Sequence, residues 1–356
     1  MDVKSILEQA IHNDTSDIFI IAGLPLTFKI HSQQLRLEEQ GKLFPEHTEA
    51  LIMELYNLAG RSPERIAPED ADDDFSFALA GVGRFRVNVF HQRSSLAAVV
   101  RVIKFGIPDY KSMDIPEQVM SLTRLNQGIV LVTGRAGSGK STTLACVIDA
   151  INHQRSGHIL TLEDPIEFIH RHNTCIVSQR EVFSDCTSYL SALRSALHES
   201  PDVILLGEMR DHETIDVAMK AAETGQLLFS SLHTTGAANT VDRIIDTFPA
   251  NQQAQIRLQL SMVLQAVISQ QLVPDINGKL TPAFEIMFVN TAIRNLIRES
   301  KTHQIDAAIQ AGASEGMRTM DSSLLNLYQA GRITRETVEK FCLNYEATSR
   351  KLKALG

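Results

Sequence analysis

The strongest chemical signal lies mid-chain, where Gly134-Arg135-Ala136-Gly137-Ser138-Gly139-Lys140-Ser141 fits G-x-x-x-x-G-K-[ST] in full. Glycines let successive backbone N–H groups turn inward around an anion. A helix opening at Lys140 adds partial positive charge at the same point. Lys140 is expected to reach the β- and γ-phosphates of a nucleotide, Ser141 to hold Mg²⁺, and Thr142 to cap or support the turn. The expected phosphate contacts are therefore Gly134, Ala136, Gly137, Ser138, Gly139, Lys140, Ser141 and Thr142. The motif specifies a nucleotide phosphate and no reaction.

Two acidic clusters could supply one. In Thr161-Leu162-Glu163-Asp164-Pro165-Ile166-Glu167, Glu163 falls at the tip of an apolar run, where a carboxylate could orient or deprotonate a water attacking a phosphoryl group. Asp164 before proline suits a rigid turn; the alternative, that Glu163 and Glu167 are ordinary turn acids, weighs equally for Glu167 and less for Glu163. In Asp202-Val203-Ile204-Leu205-Leu206-Gly207-Glu208, four apolar residues lead to Glu208, an element similar to a Walker B strand that holds Mg²⁺ through water. Gly207 stands where the acid is usual, so Glu208 must carry the role. Asp211 is better read as the N-cap of the next helix. His233, in Leu232-His233-Thr234-Thr235, also follows an apolar run, where it could sense a γ-phosphate or be merely structural.

These groups need a scaffold that presents strand ends together. Apolar runs at 129–132, 159–162, 203–206 and 227–231 alternate with helical stretches, including 140–152. That alternation is the pattern of a mostly parallel sheet with crossover helices, whose ligands bind outside the carboxyl ends of the strands. From about residue 250 the pattern reads as largely helical, with Ile256, Leu260, Val263, Leu264, Val267 and Ile268 on one long apolar stripe. Further helices are expected over 290–299, 303–311, 320–330 and 334–344.

Residues 1–104 read differently. Helices are expected over 3–13 and 46–59, strands over 16–21, 26–30, 75–79, 85–90 and 97–103, and an acidic loop over 69–74. That is a small α+β domain built on antiparallel pairs. Residues 105–127, with Gly106, Pro108 and Pro116, read as a linker with one short helix.

Composition narrows the class. The 356 residues are 44% hydrophobic and 21% charged, which excludes wholesale disorder and suits two domains. No apolar run approaches the ~18 residues of a membrane span, and no signal peptide is visible. The scattered Cys146, Cys175, Cys186 and Cys342 form no CxxC pair and are expected to be reduced thiols. With Lys plus Arg at 34, Asp plus Glu at 42 and a net charge of −8, a non-specific nucleic-acid binder is disfavoured.

Taken in order, GRAGSGKST, TLEDPIEF, PDVILLGEMRD and GQLLFSSLHTT resemble the Walker A, Asp box, Walker B and His box of the secretion ATPase superfamily, the motors of type II/IV secretion and type IV pili. Ala292-Ile293-Arg294-Asn295-Leu296-Ile297-Arg298-Glu299, then Lys301-Thr302-His303-Gln304-Ile305 and Gly316-Met317-Arg318-Thr319-Met320-Asp321, resemble its pilus-retraction branch (PilT-type). Extension motors usually carry an extra N-terminal domain and often a four-cysteine zinc insert; the sequence given shows neither.

The resemblance implies an α/β chain. An N-terminal PAS-like α+β domain (1–104) would precede a RecA-like P-loop NTPase domain (128–356) whose C-terminal region, about 290–356, is helical. It further implies ATP hydrolysis with Mg²⁺, with ATP held between the two domains. The assembly would be a homohexamer working on an inner-membrane platform protein of the type IV pilus machine, at the cytoplasmic face, with no nucleic-acid partner and no membrane span of its own. Glu163 becomes the water-activating base, Glu208 the Mg²⁺ residue and His233 the γ-phosphate sensor. Arg86 and Arg101, fifteen residues apart on adjacent expected strands, best match the arginines that such N-terminal domains supply to the nucleotide; Arg84 and Arg93 compete, and Arg194 is a weaker candidate. Two positions depart from the family pattern: Gln226 stands where a first histidine is common, and Arg135-Ala136 replaces the usual loop dipeptide. The rivals are a related secretion or pilus-extension ATPase, a RecA-like nucleic-acid motor, and a regulatory subunit that binds ATP without hydrolysing it.

Overall fold

A computed structural model describes residues 2–30, 33–66, 72–103 and 106–355. The chain divides into two compact units, one comprising residues up to Gly106 with Glu167–Ile169, the other Ile107–Ile166 and the residues from His170 onward.

The first unit is a six-stranded antiparallel sheet with helices α1 (Val3–His12) and α2 (Pro45–Ala59). Its strands are β1 (Thr15–Ile20), β2 (Thr27–Ile30), β3 (Gln33–Arg36), β4 (Asp73–Leu79), β5 (Gly83–Gln92) and β6 (Ser95–Ile103), in the order β3-β2-β1-β6-β5-β4. Alternation along β5 decides which side chains reach the surface: Phe85, Val87 and Val89 are buried with Ile52, Leu55 and Tyr56 of α2. Arg84, Arg86 and Asn88 therefore project from the other face. Of the acidic stretch 69–74, residues 69–71 lie outside the described residues, whereas Asp73 and Asp74 open β4.

The second unit is an α/β fold on a seven-stranded mixed sheet. Its strands are β7 (Gly128–Thr133), β8 (Gly157–Glu163), β9 (Cys175–Glu181), β10 (Val203–Glu208), β11 (Leu227–Leu232), β12 (Leu264–Pro274) and β13 (Leu280–Phe288). The order is β13-β12-β7-β11-β10-β8-β9, and only β13 runs antiparallel to its neighbour. Both faces are covered. Val130 and Val132 of β7 pack with α3 (Glu117–Met120) and α4 (Lys140–Gln154). Ile129 and Leu131 pack on the other side with α5 (Tyr189–Ala196), α6 (His212–Glu223), α7 (Ala237–Asp246), α8 (Gln253–Val263), α9 (Thr291–Arg298) and α10 (Ile305–Ala311). Helices α11 (Met320–Gln329), α12 (Arg335–Phe341) and α13 (Tyr345–Leu355) close a separate apolar cluster over Val273 and Ala283. The stretch 107–127 packs into the second unit, with Ile115, Val119, Met120 and Leu122 buried in its core.

The long helical stripe expected over 256–268 is not there. Helix α8 ends at Val263, and Leu264 begins an eleven-residue strand. Leu264, Ala266, Val267 and Ile268 are all buried. A strand covered on both faces shows no alternation, so its apolar positions can mimic a helical face.

Candidate functional site

Strand β7 delivers the phosphate motif to the carboxyl edge of the sheet, and α4 starts at Lys140 with Gly139 as its N-cap in left-handed conformation. The neighbouring strand explains two of the glycines. A Cβ on Gly134 would collide with the Gln270 carbonyl oxygen, and one on Gly139 would lie 2.8 Å from Gln270 Nε2. The Gln270 side chain in turn accepts a hydrogen bond from Thr143 Oγ1 at 2.8 Å. Lys140 Nζ donates to Gly134 O at 2.9 Å and Arg135 O at 3.0 Å. Ser138 Oγ is buried without a hydrogen-bond partner among the described residues, the condition that a phosphate oxygen would satisfy. Ser141 is exposed in the first turn of α4 and Thr142 half-buried. The hydroxyl that ties the turn to the sheet belongs to Thr143.

The remaining groups follow along the same edge. His233 leaves β11, Glu208 ends β10, and Glu163 ends β8, in strand order β7-β11-β10-β8. Glu163 is thus three strand spacings from β7, roughly 14 Å. Glu163 Oε1 accepts from Thr161 Oγ1 at 2.6 Å and Gln179 Nε2 at 3.3 Å. Glu208 Oε2 meets Arg210 Nε at 2.6 Å and His233 Nε2 at 3.8 Å. Burial first, then Lys140, hold the His233 imidazole below its ordinary pKa, against the pull of Glu208. A neutral His233 keeps one N–H and one lone pair to offer a ligand, so its approach to Glu208 is a polar contact more than an ion pair. A cavity of about 460 Å³ opens beside Glu208, Arg210, His233 and Arg243.

Tyr189, at the start of α5, was not singled out by sequence. Its hydroxyl would be 2.7 Å from a Cβ on Gly207. Burial, then Glu208, Asp164 and Glu163, push its pKa up. The phenol therefore sits among both acidic clusters, and it leaves no room for the acid usual at position 207. No pattern in the sequence marks it, and none marks Gln270, Thr143 or Gln179.

Asp211 caps α6, accepting from Thr214 N at 2.8 Å. Asp164 joins Pro165 through a cis peptide bond. Arg194 is exposed in the last turn of α5. Gln226 precedes β11 and accepts a bond from Thr224 Oγ1 at 2.8 Å. It lies at the opposite end of that strand from His233, roughly 20 Å away, so in its own chain it is remote from Lys140.

No group of three or more His, Cys, Asp or Glu able to hold a metal occurs among the described residues. Mg²⁺ fits the donors present in another way, since it is usually held by one or two protein oxygens, phosphates and water. Ser141 and Glu208 are of that kind.

In the first unit, Arg86 and Arg101 are direct partners across β5 and β6. Arg86 Nε bonds Asp74 Oδ1 at 3.0 Å, and Arg101 Nε bonds Asp17 Oδ1 at 3.1 Å. Arg84 lies two residues along the same face of β5, and Arg93 sits in the turn between the strands with φ 47°.

Comparison with known proteins shows the family. Residues 1–318 match the family model described as "Type II/IV secretion system protein". The chain is 44% identical over 341 residues to the "Type IV pilus retractation ATPase PilT" of Pseudomonas aeruginosa, spanning 96% of this chain and 98% of that one. It is 42% identical over 349 residues to a "Twitching motility protein" of Neisseria gonorrhoeae, spanning 98% and 92%. A solved structure, "Crystal Structure of the Pilus Retraction Motor PilT and Bound ADP", superposes with a TM-score of 0.90 at 44% identity over 98% of this chain and 99% of that one. The chain belongs to the type II/IV secretion system protein family.

Proposed function

We propose that this chain is an ATP-hydrolysing motor that powers type IV pilus retraction, the disassembly step of twitching motility. The observation that carries the reading is the 44% identity, over almost the whole of both chains, to a pilus retraction ATPase. The ADP named with the solved relative supports reading Gly134–Ser141 as an ATP loop. Its contacts would be Gly134, Ala136, Gly137, Ser138, Gly139, Lys140, Ser141 and Thr142.

In finer terms, residues 1–104 form a PAS-like domain and 128–356 a RecA-like ATPase domain with its helical region from about 290, and the connecting stretch 105–127 packs from Ile107 onward as part of the second unit. Glu163 orients and deprotonates the attacking water, and Thr161 and Gln179 hold its carboxylate in place. Ser141 and Glu208 hold Mg²⁺, which neutralises charge on the phosphates when bound. His233 reads the γ-phosphate. Arg86 and Arg101 bring guanidinium charge to the phosphoryl group, where it stabilises the transition state. Six copies form a ring at the cytoplasmic face of the inner membrane and act on a platform protein of the pilus machine. No described helix is long and apolar enough to cross a membrane.

The deciding experiment counts surface pili in the host carrying Lys140→Ala. More pili with twitching lost is the expected result. Few or no pili would move the chain to pilus extension or another secretion machine.

A further inference from the structure

Glu285, on β13, is buried and lies outside every motif considered above. Its register partner on β12 is Ser269. This cross-strand pair takes two consecutive amides at the start of α7: Gly236 N donates to Ser269 Oγ at 3.0 Å, and Ala237 N donates to Glu285 Oε1 at 2.6 Å. Those amides come three and four residues after His233. The segment between is tied down as well, with the Thr234 and Thr240 hydroxyls 2.8 Å apart and Asn239 Nδ2 donating to Thr235 O at 2.9 Å.

The other oxygen of Glu285 points to a different element. Oε2 accepts from Met320 N at 3.2 Å, the first residue of α11. One residue on, the Asp321 carboxylate accepts from Leu343 N at 2.6 Å, Asn344 N at 2.9 Å and Thr348 Oγ1 at 3.0 Å. One buried carboxylate therefore bridges two helix N-termini. One helix carries the histidine loop; the other holds the α12–α13 junction.

We propose that Glu285 is a positioning residue for ATP hydrolysis, locking the start of α7, and through it His233, to the C-terminal helices. The proposal rests on the reading of His233 as γ-phosphate sensor. A buried carboxylate is suited to the role because both oxygens accept, and each helix N-terminus offers N–H groups that no carbonyl within the helix can take. The bond lengths leave the His233 loop little play against α11. A shift of the C-terminal helices is thereby transmitted to the phosphate side of the sheet edge.

Two substitutions in the full-length protein test this. Glu285→Gln keeps the shape and places an amide N–H against one of the two backbone donors. Ala237→Pro removes the N–H on α7 and leaves the carboxylate intact, at a first helical position where proline is tolerated. ATP turnover, affinity for a fluorescent ADP analogue and melting temperature are read for each, beside His233→Ala. The expected result is a kcat at least about fivefold lower in both, with ADP-analogue affinity within about twofold of wild type. Glu285→Gln combined with His233→Ala should be no slower than His233→Ala alone, since groups acting as one unit are not additive. Normal kcat in a folded Glu285→Gln beside a slow His233→Ala overturns the inference and spares the sensor reading, as do losses that multiply in the double variant. Normal kcat in His233→Ala removes the sensor reading and this inference with it. Should Glu285→Gln fail to fold, Ala237→Pro decides by the same criteria.

Discussion

Arg86 and Arg101 face each other directly across β5 and β6, so two like charges share one cross-strand site. Such a pair is unfavourable alone. The sheet supplies counterions on both outer sides: Asp74 for Arg86, and Asp17, itself in register with both Arg101 and Lys29, for Arg101. The arginines are thus held in place without being buried. Arg86→Ala and Arg101→Ala should each lower ATP turnover at least about tenfold. The exposed Arg86–Asp74 pair contributes only ~0–1 kcal/mol, so Arg86→Ala should move the melting temperature by no more than a few degrees. Arg101→Ala leaves Lys29, at 3.7 Å, as the cation beside the buried Asp17 and should cost more. A fall in melting temperature that accounts for the lost turnover would make the pair structural.

Binding and chemistry should separate at Lys140 and Glu163. Lys140→Ala is expected to abolish affinity for a fluorescent ATP analogue. Glu163→Gln should keep that affinity and slow phosphate release by about a hundredfold or more. Undiminished turnover in Glu163→Gln would end its assignment as base.

Gly207 and Tyr189 are predicted to be coupled through space. Gly207→Ala brings a methyl to 2.7 Å from the Tyr189 hydroxyl and 3.2 Å from Leu162 O. Overpacking of that kind costs about 1–3 kcal/mol. Adding Tyr189→Phe removes the closer obstacle and should restore about half of the lost stability or more in urea unfolding. An additive double mutant would refute the contact.

Glu285 should leave a signature in stability against pH. Burial pushes its carboxyl up to about 7 from an ordinary 4.5; the two backbone donors oppose the shift, and Asp306 and Asp321 reinforce it. The folded chain then holds a proton that the unfolded chain has released, so this group's contribution falls as pH rises from 4.5 to about 7. The full effect is on the order of 3 kcal/mol. Glu285→Gln lacks it, so wild type should lose ground to the variant between about pH 5 and about pH 8 in urea midpoints. Parallel curves would contradict the shift.

Helix α9 presents Ile293 and Ile297 to the core and Arg298 to solvent, while Arg294 is half-buried with its Nε lacking an acceptor among the described residues. We expect that guanidinium to meet a partner or a neighbouring subunit. Arg294→Glu should keep ATP turnover within about twofold and impair retraction, scored as twitching zone diameter. Equal loss of both would merge the two roles.

The chemical row along the sheet edge was legible because each member closes an apolar run: Thr133 before the phosphate loop, Glu163 after Leu162, Glu208 after Leu206, His233 after Leu232. The arginine pair came from the family resemblance, and the strands show why its members pair. Arg86 and Arg101 are equidistant from the two-residue turn Arg93-Ser94, whose positive φ values suit a tight hairpin. Strand β12 was not legible, since burial on both sides erases alternation. Strand β3 escaped for the opposite reason, being exposed at all of its positions. Tyr189, Gln270 and Glu285 carry no motif because their importance comes from what the fold places beside them.

Strand β12 has one more consequence. The whole nucleotide motif set ends by Thr235, yet the wall against which Gly134 and Gly139 are moulded belongs to Gln270, and the brace behind His233 belongs to Ser269 and Glu285. A fragment cut after the histidine loop would contain every nucleotide motif and still lack the mould. The smallest portion of this chain that keeps the mould therefore extends at least through β12, well beyond the last residue of the nucleotide motifs.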